Sequence, residues 1–228
     1  MTAPRTALVT GASRGLGRES ARQLAALGWR VWVAARRLTA AEEIAHELGS
    51  STLPVQLDVT DTASIRAAFD TVEKRGGLHC LVNNAGIDYD TDQLAIRADL
   101  SRVRSTMETN FLGPWACAQA AIPQLTRQDY ATIVNVSSGA GALQGMGAAP
   151  PGYATSKAAL NALTRILAAE LRPEGVLVNA VCPGWVATDM GKGGRPVSEG
   201  ARGIVWASTL TKGGPTSGFF RDGQSIPW

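Results

Sequence analysis

Tyr153 and Lys157 stand four residues apart in a stretch of helical period, so both side chains project from one helix face. A free phenol titrates near pH ~10, and an adjacent ammonium together with the positive end of a helix stabilises the phenolate. Such a tyrosine is expected to shift towards neutrality, donating a proton to a carbonyl oxygen or accepting one from an alcohol. The spacing alone is suggestive, and its surroundings carry the argument. Upstream, Ile133-Val134-Asn135-Val136-Ser137-Ser138 ends a strand with two hydroxyls at the carboxyl edge, where ligands bind in open parallel sheets. Ser138 is the preferred partner for a substrate oxygen and Ser137 the alternative, although two serines after a strand also serve as a turn or a cap. Asn110 falls within a helical stretch, where asparagine is a poor helix former and bonds readily to a local kink.

A second constellation lies at the N-terminus. Thr10-Gly11-Ala12-Ser13-Arg14-Gly15-Leu16-Gly17 joins an apolar strand to a helix. Its glycines permit a tight turn and close backbone approach to a pyrophosphate, which the helix N-terminus would hold. The spacing is Gly-x-x-x-Gly-x-Gly, and its place at the first turn of a strand-helix repeat strengthens the reading. At the end of the second strand the chain reads Ala34-Ala35-Arg36-Arg37, with no carboxylate for a ribose 2′-hydroxyl. Arg36 and Arg14 instead offer charge-assisted hydrogen bonds to a 2′-phosphate, which favours NADP(H) over NAD(H). Asp58-Val59, after the third strand, is placed to meet an adenine or simply to make a turn.

These groups need a frame. Short apolar runs alternate with helical segments, which predicts a doubly wound α/β fold: a parallel sheet with helices on both faces, Rossmann-type, as a single domain over residues 1–228. Strands are expected at Ala7–Thr10, Arg30–Ala34, Thr52–Gln56, Leu78–Asn83, Ala131–Val136 and Val176–Val181, with a short one near Phe219-Phe220. Helices are expected after Gly15, with Leu16, Leu24 and Leu27 on its buried face; from a Thr39/Glu42 capping box to Gly49; and over Asp61–Arg75. Further helices are expected over Ser101–Gln124, kinked or ended by Pro114 or Pro123, over Tyr153–Leu171, and over Ser198–Leu210. Gly139–Gly152 and Gly191–Pro196 read as loops, the latter mobile.

Composition narrows the function classes. The chain has 228 residues, 45% hydrophobic and 18% charged, enough to bury a core and too apolar for a disordered chain. Its net charge of +3 is scattered, so nucleic-acid binding has no basic face to rest on. Three cysteines in apolar stretches and two histidines leave little material for a metal site, and none is expected. No leader pattern or membrane-length apolar run is present, so a cytoplasmic protein without membrane contact is expected.

Taken together and in order, Thr10 to Gly17, Asp58, Asn83-Asn84-Ala85-Gly86, Asn110, Ser138, Tyr153 with Lys157, and Pro183-Gly184 followed by Thr188 resemble the short-chain dehydrogenases/reductases along essentially the whole chain. The resemblance implies that Tyr153 is the acid/base, Ser138 polarises the carbonyl, Lys157 also binds the nicotinamide ribose, and Asn110 holds a water of the proton relay. It further implies that Asn83 to Gly86 backs the cofactor beside Pro183 and Gly184, that Val186 and Thr188 hold the nicotinamide carboxamide, and that homodimers or homotetramers are common. The tail, from Ser198 to Gly223, looks most like the carbonyl-reductase branch, without the long insertion that animal members carry before the tyrosine. The expected reaction is reversible hydride transfer between NADPH and a small-molecule ketone, aldehyde or quinone, with an alcohol on the other side. Ile87, Leu143, Gln144, Met146, Trp185 and Met190 come just after these motifs and are expected to line an apolar substrate pocket. The competing reading is a catalytically silent NADP(H)-binding sensor or scaffold. All four catalytic positions are filled, which counts against it.

Overall fold

The computed structural model describes residues 4–189 and 193–228. Eight strands make one sheet: β1 (Thr6–Val9), β2 (Arg30–Ala35), β3 (Thr52–Gln56), β4 (Cys80–Asn83), β5 (Ala131–Val136), β6 (Val176–Val181), β7 (Phe219–Arg221) and β8 (Gln224–Ser225). Their order is β3-β2-β1-β4-β5-β6-β7-β8, and every pairing is parallel except the final β7–β8 hairpin. The chain winds outward from β1 to β3, then crosses back to β4, so a crevice opens at the carboxyl ends of β1 and β4. Pro54 is tolerated in β3 because that strand forms the sheet edge.

The strand pleat sorts the core into two layers. Leu8, Trp32, Leu81 and Ile133 face α3 (Thr62–Glu73), α5 (Gly113–Leu125) and α6 (Pro151–Leu171). Val9, Val31, Val82 and Val134 face α1 (Gly15–Ala26), α2 (Leu38–Leu48) and α7 (Val197–Ser208). Both faces are therefore covered, as the near-continuous apolar runs of the central strands require.

Several local expectations fail for identifiable reasons. Arg37, extended and without a side-chain cap, precedes α2, so Thr39 and Glu42 lie within the helix and form no capping box. Leu27 is the C-cap of α1 and 61% exposed, having run past the buried face. The helix expected over Ser101–Gln124 is three pieces: α4 (Leu100–Met107), a π turn (Glu108–Leu112) and α5, with Pro114 in the first turn of α5 and Pro123 inside it. The catalytic-helix candidate α6 begins at Pro151, two residues earlier than expected, because proline suits the first helical turn. The final strand continues into a hairpin with β8, and Arg195 pairs with Val186 across a parallel bridge. Part of the Gly191–Pro196 segment is thus tied down, while Gly191 lies outside the described residues.

A buried amide ladder fixes the two strands that end at the crevice. Asn83 Nδ2 donates to Asn135 Oδ1 at 2.9 Å and to the Pro114 carbonyl at 3.2 Å, and Asn135 Nδ2 donates to Thr164 Oγ1 at 2.8 Å. The ladder joins β4, β5, α5 and α6 through groups that would be costly to leave without partners. Asn135→Ala is expected to lower unfolding free energy by about 1–3 kcal/mol, read as a shift in the urea midpoint with unchanged slope.

Candidate active site

The turn after β1 is built for backbone proximity. Gly11 has φ +63°, and a Cβ there would sit 2.9 Å from Ala85 Cα; one on Gly17 would collide with Asn84 Nδ2. Thr10 Oγ1 accepts both the Asn84 and Ala85 N–H groups, at 2.9 and 3.0 Å, while Asn84 Nδ2 returns a bond of 2.8 Å to the Thr10 carbonyl. The Ala12 N–H donates to Ala34 at the end of β2. The turns after β1, β2 and β4 are therefore locked to one another around the N-terminus of α1.

A cleft of about 360 Å³ runs over this junction, lined by Gly11, Ser13 to Gly17, Arg36, Asp58, Val59, Asn84 to Ile87, Tyr153, Lys157, Pro183 and Thr188. Its backbone donors, close-packed glycines and helix N-terminus fit a dinucleotide pyrophosphate. Asp58 also makes the turn that the alternative reading required, accepting from the Thr60 N–H and hydroxyl at 3.0 and 2.8 Å. Arg36 is exposed at the rim and in no ion pair among the described residues. Arg14 contacts Asp189 at 2.9 Å, but both side chains are about three-quarters exposed (76% and 74%), so this pair is weak and readily exchanged.

A smaller recess, about 100 Å³, opens beside the cleft and is lined by Leu16, Tyr89, Ser137, Ser138, Tyr153, Pro183, Gly184, Trp185, Val186 and Thr188. Tyr153 borders both cavities. Ser138 stands extended at the head of a single helical turn (Gly139–Gly141), where its Oγ accepts from Ala140 N–H at 3.2 Å. The Ser137 hydroxyl, though it also borders the recess, donates to Asn161 Oδ1 at 2.6 Å. That contact separates the two serines that sequence left as alternatives.

Burial dominates the titration of this site. The Tyr153 phenol is pushed up to about 12 by desolvation, against a hydrogen bond with Ser138 that favours the phenolate. This reverses the shift towards neutrality expected from the Tyr153/Lys157 spacing. The reason is desolvation, which outweighs the neighbouring charge; Lys157 Nζ donates to the Val136 carbonyl at 2.8 Å and lies 5.6 Å from the centroid of the tyrosine ring. Burial also brings the Lys157 ammonium down to about 8.

Asn110 occupies the π turn and is wholly buried. Its Oδ1 accepts from Ile87 N–H at 2.8 Å, and its Nδ2 donates to the Ile87 carbonyl at 3.0 Å and to Ser156 Oγ at 3.1 Å. Ser156 in turn donates to the Tyr153 carbonyl at 2.7 Å, so Asn110 is one link from the tyrosine backbone.

The expected pocket wall is only partly assembled. Trp185 borders the recess and Ile87 the cleft, but Leu143, Gln144 and Met146 line neither. Their segment turns outward, with Leu143 71% exposed and Gln144 N–H bonded to the Trp228 carbonyl. Met190 lies outside the described residues. Sequence reasoning missed three contributors. Tyr89 meets Tyr153 edge-on at 5.1 Å and Trp185 at 5.6 Å. The buried Asp90 carboxylate accepts from the Gly152 and Tyr153 N–H groups at 2.8 and 3.0 Å, capping α6. Arg195 donates to the Pro183 carbonyl and makes two 2.8 Å bonds to Asp222, fastening the recess rim to the β7–β8 turn. Only the exposed aromatic character of Trp185 and the helix-start demand at Gly152 could have hinted at the first two.

Among the described residues, no group of three or more His, Cys, Asp or Glu side chains could hold a metal, and no helix is long and apolar enough to cross a membrane.

Comparison with known proteins agrees with this geometry. Residues 5–197 match the family model for short chain dehydrogenase. The 3-oxoacyl-[acyl-carrier-protein] reductase FabG of Staphylococcus aureus is 39% identical over 195 residues, covering 83% of this chain and 78% of its own. The short-chain dehydrogenase anuI of Penicillium roqueforti is 37% identical over 223 residues, covering 89% and 87%. The crystal structure of NADPH-bound carbonyl reductase from chicken fatty liver superposes with a TM-score of 0.88 at 32% identity, covering 100% of each chain. The chain belongs to the short-chain dehydrogenases/reductases, a family of oxidoreductases that use nicotinamide cofactors on a Rossmann-like fold.

Proposed function

We propose that this protein is an NADPH-dependent carbonyl reductase, working in reverse as an alcohol dehydrogenase, on ketones, aldehydes or quinones. The observation that carries the reading is that Tyr153 borders both the dinucleotide cleft and the recess, with Ser138 facing the recess beside it. Cleft and acid share one sheet, which supports treating residues 1–228 as a single dinucleotide-binding and catalytic domain. Three buried free cysteines suit a reducing, cytoplasmic setting.

In this reading Gly11 and Ser13 to Gly17 would hold the pyrophosphate, Asp58 and Val59 would border the adenine, Asn84 to Gly86 with Pro183 would back the cleft, and Gly184 would meet the cofactor from the recess. Val186 and Thr188 bond the carboxamide, and Tyr153 and Lys157 meet the nicotinamide ribose. Bound there, NADPH supplies the hydride. Ser138 would donate a hydrogen bond to the substrate oxygen, and Tyr153 would pass its hydroxyl proton to that oxygen. The Lys157 charge stabilises the phenolate left behind, and Asn110, through Ser156, holds the helix start against the turn after β4.

Replacing Tyr153 by Phe removes the proton donor and leaves the cleft, so kcat for carbonyl reduction is expected to fall by about 10²–10⁴ with NADPH affinity retained. NADPH oxidation at 340 nm against ketones, aldehydes, quinones and a 3-oxoacyl thioester, with NADH as control, tests both the reaction and the substrate range. Intact NADPH binding without turnover of any would favour the sensor reading. Arg36→Ala is expected to weaken NADPH binding about 10- to 100-fold and NADH binding hardly at all, measured by titrating intrinsic fluorescence; equal losses would overturn the 2′-phosphate assignment. The pH profile is set by the buried pair. Lys157 loses its charge as pH rises through about 8, whereas Tyr153 keeps its proton to about 12. kcat/KM for reduction is therefore expected to be level below pH ~8 and to decline above it; a profile level to pH ~10 would show that the Lys157 charge is not needed.

A further inference from the structure

The segment Ile87–Asp92, between β4 and α4, is held at short intervals along its length. Ile87 exchanges two hydrogen bonds with the Asn110 amide. Asp88, with φ +63°, accepts from Arg102 Nε and Nη2 at 2.8 and 2.5 Å and from Thr106 Oγ1 at 3.0 Å. Asp90 grips the two N–H groups that open α6, and Asp92 accepts from Arg102 Nη1 at 2.7 Å. Tyr89 projects from between two of these anchors. Its ring stands edge-on to Tyr153 and tilted by 57° against Trp185, so the three aromatics form one wall of the recess where Ser138 and the Tyr153 phenol meet.

We propose that Tyr89 is a specificity-determining residue of this site, and that it selects carbonyl compounds with a flat conjugated ring next to the reacting carbon. The inference rests on the carbonyl-reductase reading and narrows it. Three observations lead there. Of the residues lining the recess of about 100 Å³, Leu16, Pro183, Gly184, Val186 and Thr188 are assigned to the cofactor, which leaves Tyr89 and Trp185, with Ser138 and Tyr153, to meet the substrate. Leu143 and Met146, two of the apolar side chains expected in the pocket wall, line neither cavity and leave the aromatic side chains to form this side of it. The aromatic wall offers edge and face contacts that favour another π-system over a saturated group of equal size. Because Asp90 holds the wall and the acid through adjacent residues, a ring placed against Tyr89 has its carbonyl at a fixed offset from the Tyr153 hydroxyl.

The test compares acetophenone, cyclohexyl methyl ketone and the N-acetylcysteamine thioester of 3-oxobutanoate as substrates, with NADPH, for wild type, Tyr89→Phe and Tyr89→Leu. The readout is the ratio of the KM of the saturated ketone to that of the aromatic one. Wild type is expected to show a ratio above one. Leucine should lower it about 3- to 10-fold, the range of an aromatic contact, and phenylalanine should restore it. An unchanged ratio in the leucine variant, or a wild-type preference for the thioester, overturns the assignment while leaving carbonyl reduction intact. Failure of wild type to reduce any of the three, or any aldehyde or quinone, while binding NADPH sinks the carbonyl-reductase reading itself, and the role of Tyr89 with it.

Discussion

One threonine hydroxyl holds the crevice closed. Thr10 Oγ1 receives the backbone N–H groups of both Asn84 and Ala85, drawing the ends of β1 and β4 together until Gly11 touches Ala85. These strands part the two halves of the sheet, and without such a tie their carboxyl ends would diverge with the sheet twist. With it, the turn that leads into α1 and the segment that leads from β4 towards Tyr89 share one origin.

The second theme is burial used against charge. Lys157 is buried in the wall of the cleft, with the Val136 carbonyl as its hydrogen-bond acceptor. A neutral tyrosine and a lysine of depressed pKa sit side by side, each pushed towards its uncharged form by the same dry surroundings. Such a pair resists ionisation in water and responds strongly to any charge introduced nearby, because little solvent is present to screen it. Asp90 is equally enclosed, and its two oxygens are taken up by the Gly152 and Tyr153 N–H groups at the start of α6.

Much of this was legible in the chain. The strand ranges Ala131–Val136 and Val176–Val181 coincide with prediction because these buried strands are mostly apolar from end to end, and Thr52–Gln56, an edge strand, because turn residues bound it on either side. Tyr153 with Lys157 and the glycine turn were legible because their geometry is local, set by one helical turn or one loop. The features that escaped were long-range. Asp90 meets Tyr153 across 63 positions and Arg195 meets Asp222 across 27, and no short pattern marks a carboxylate for a partner that distant. The pKa of Tyr153 was misjudged for a related reason, since helix spacing reports which side chains are neighbours but says nothing about how much water surrounds them. The Thr39/Glu42 box failed because the chain entered α2 from Arg37, an entry set by the end of β2.

The π turn at Glu108–Leu112 has a consequence for how this chain can vary. It accommodates one more residue than regular α-helix between α4 and α5, and Asn110 sits on that surplus. Loss of a single residue here would remove the widened turn that carries Asn110 and bring Pro114 against a regular helical turn, where it has no N–H to donate. The Asn110 amide could then no longer face Ile87. Substitutions can accumulate around this point by degrees, but length cannot, so the count of residues from Leu100 to Leu125 behaves as a fixed dimension of the site.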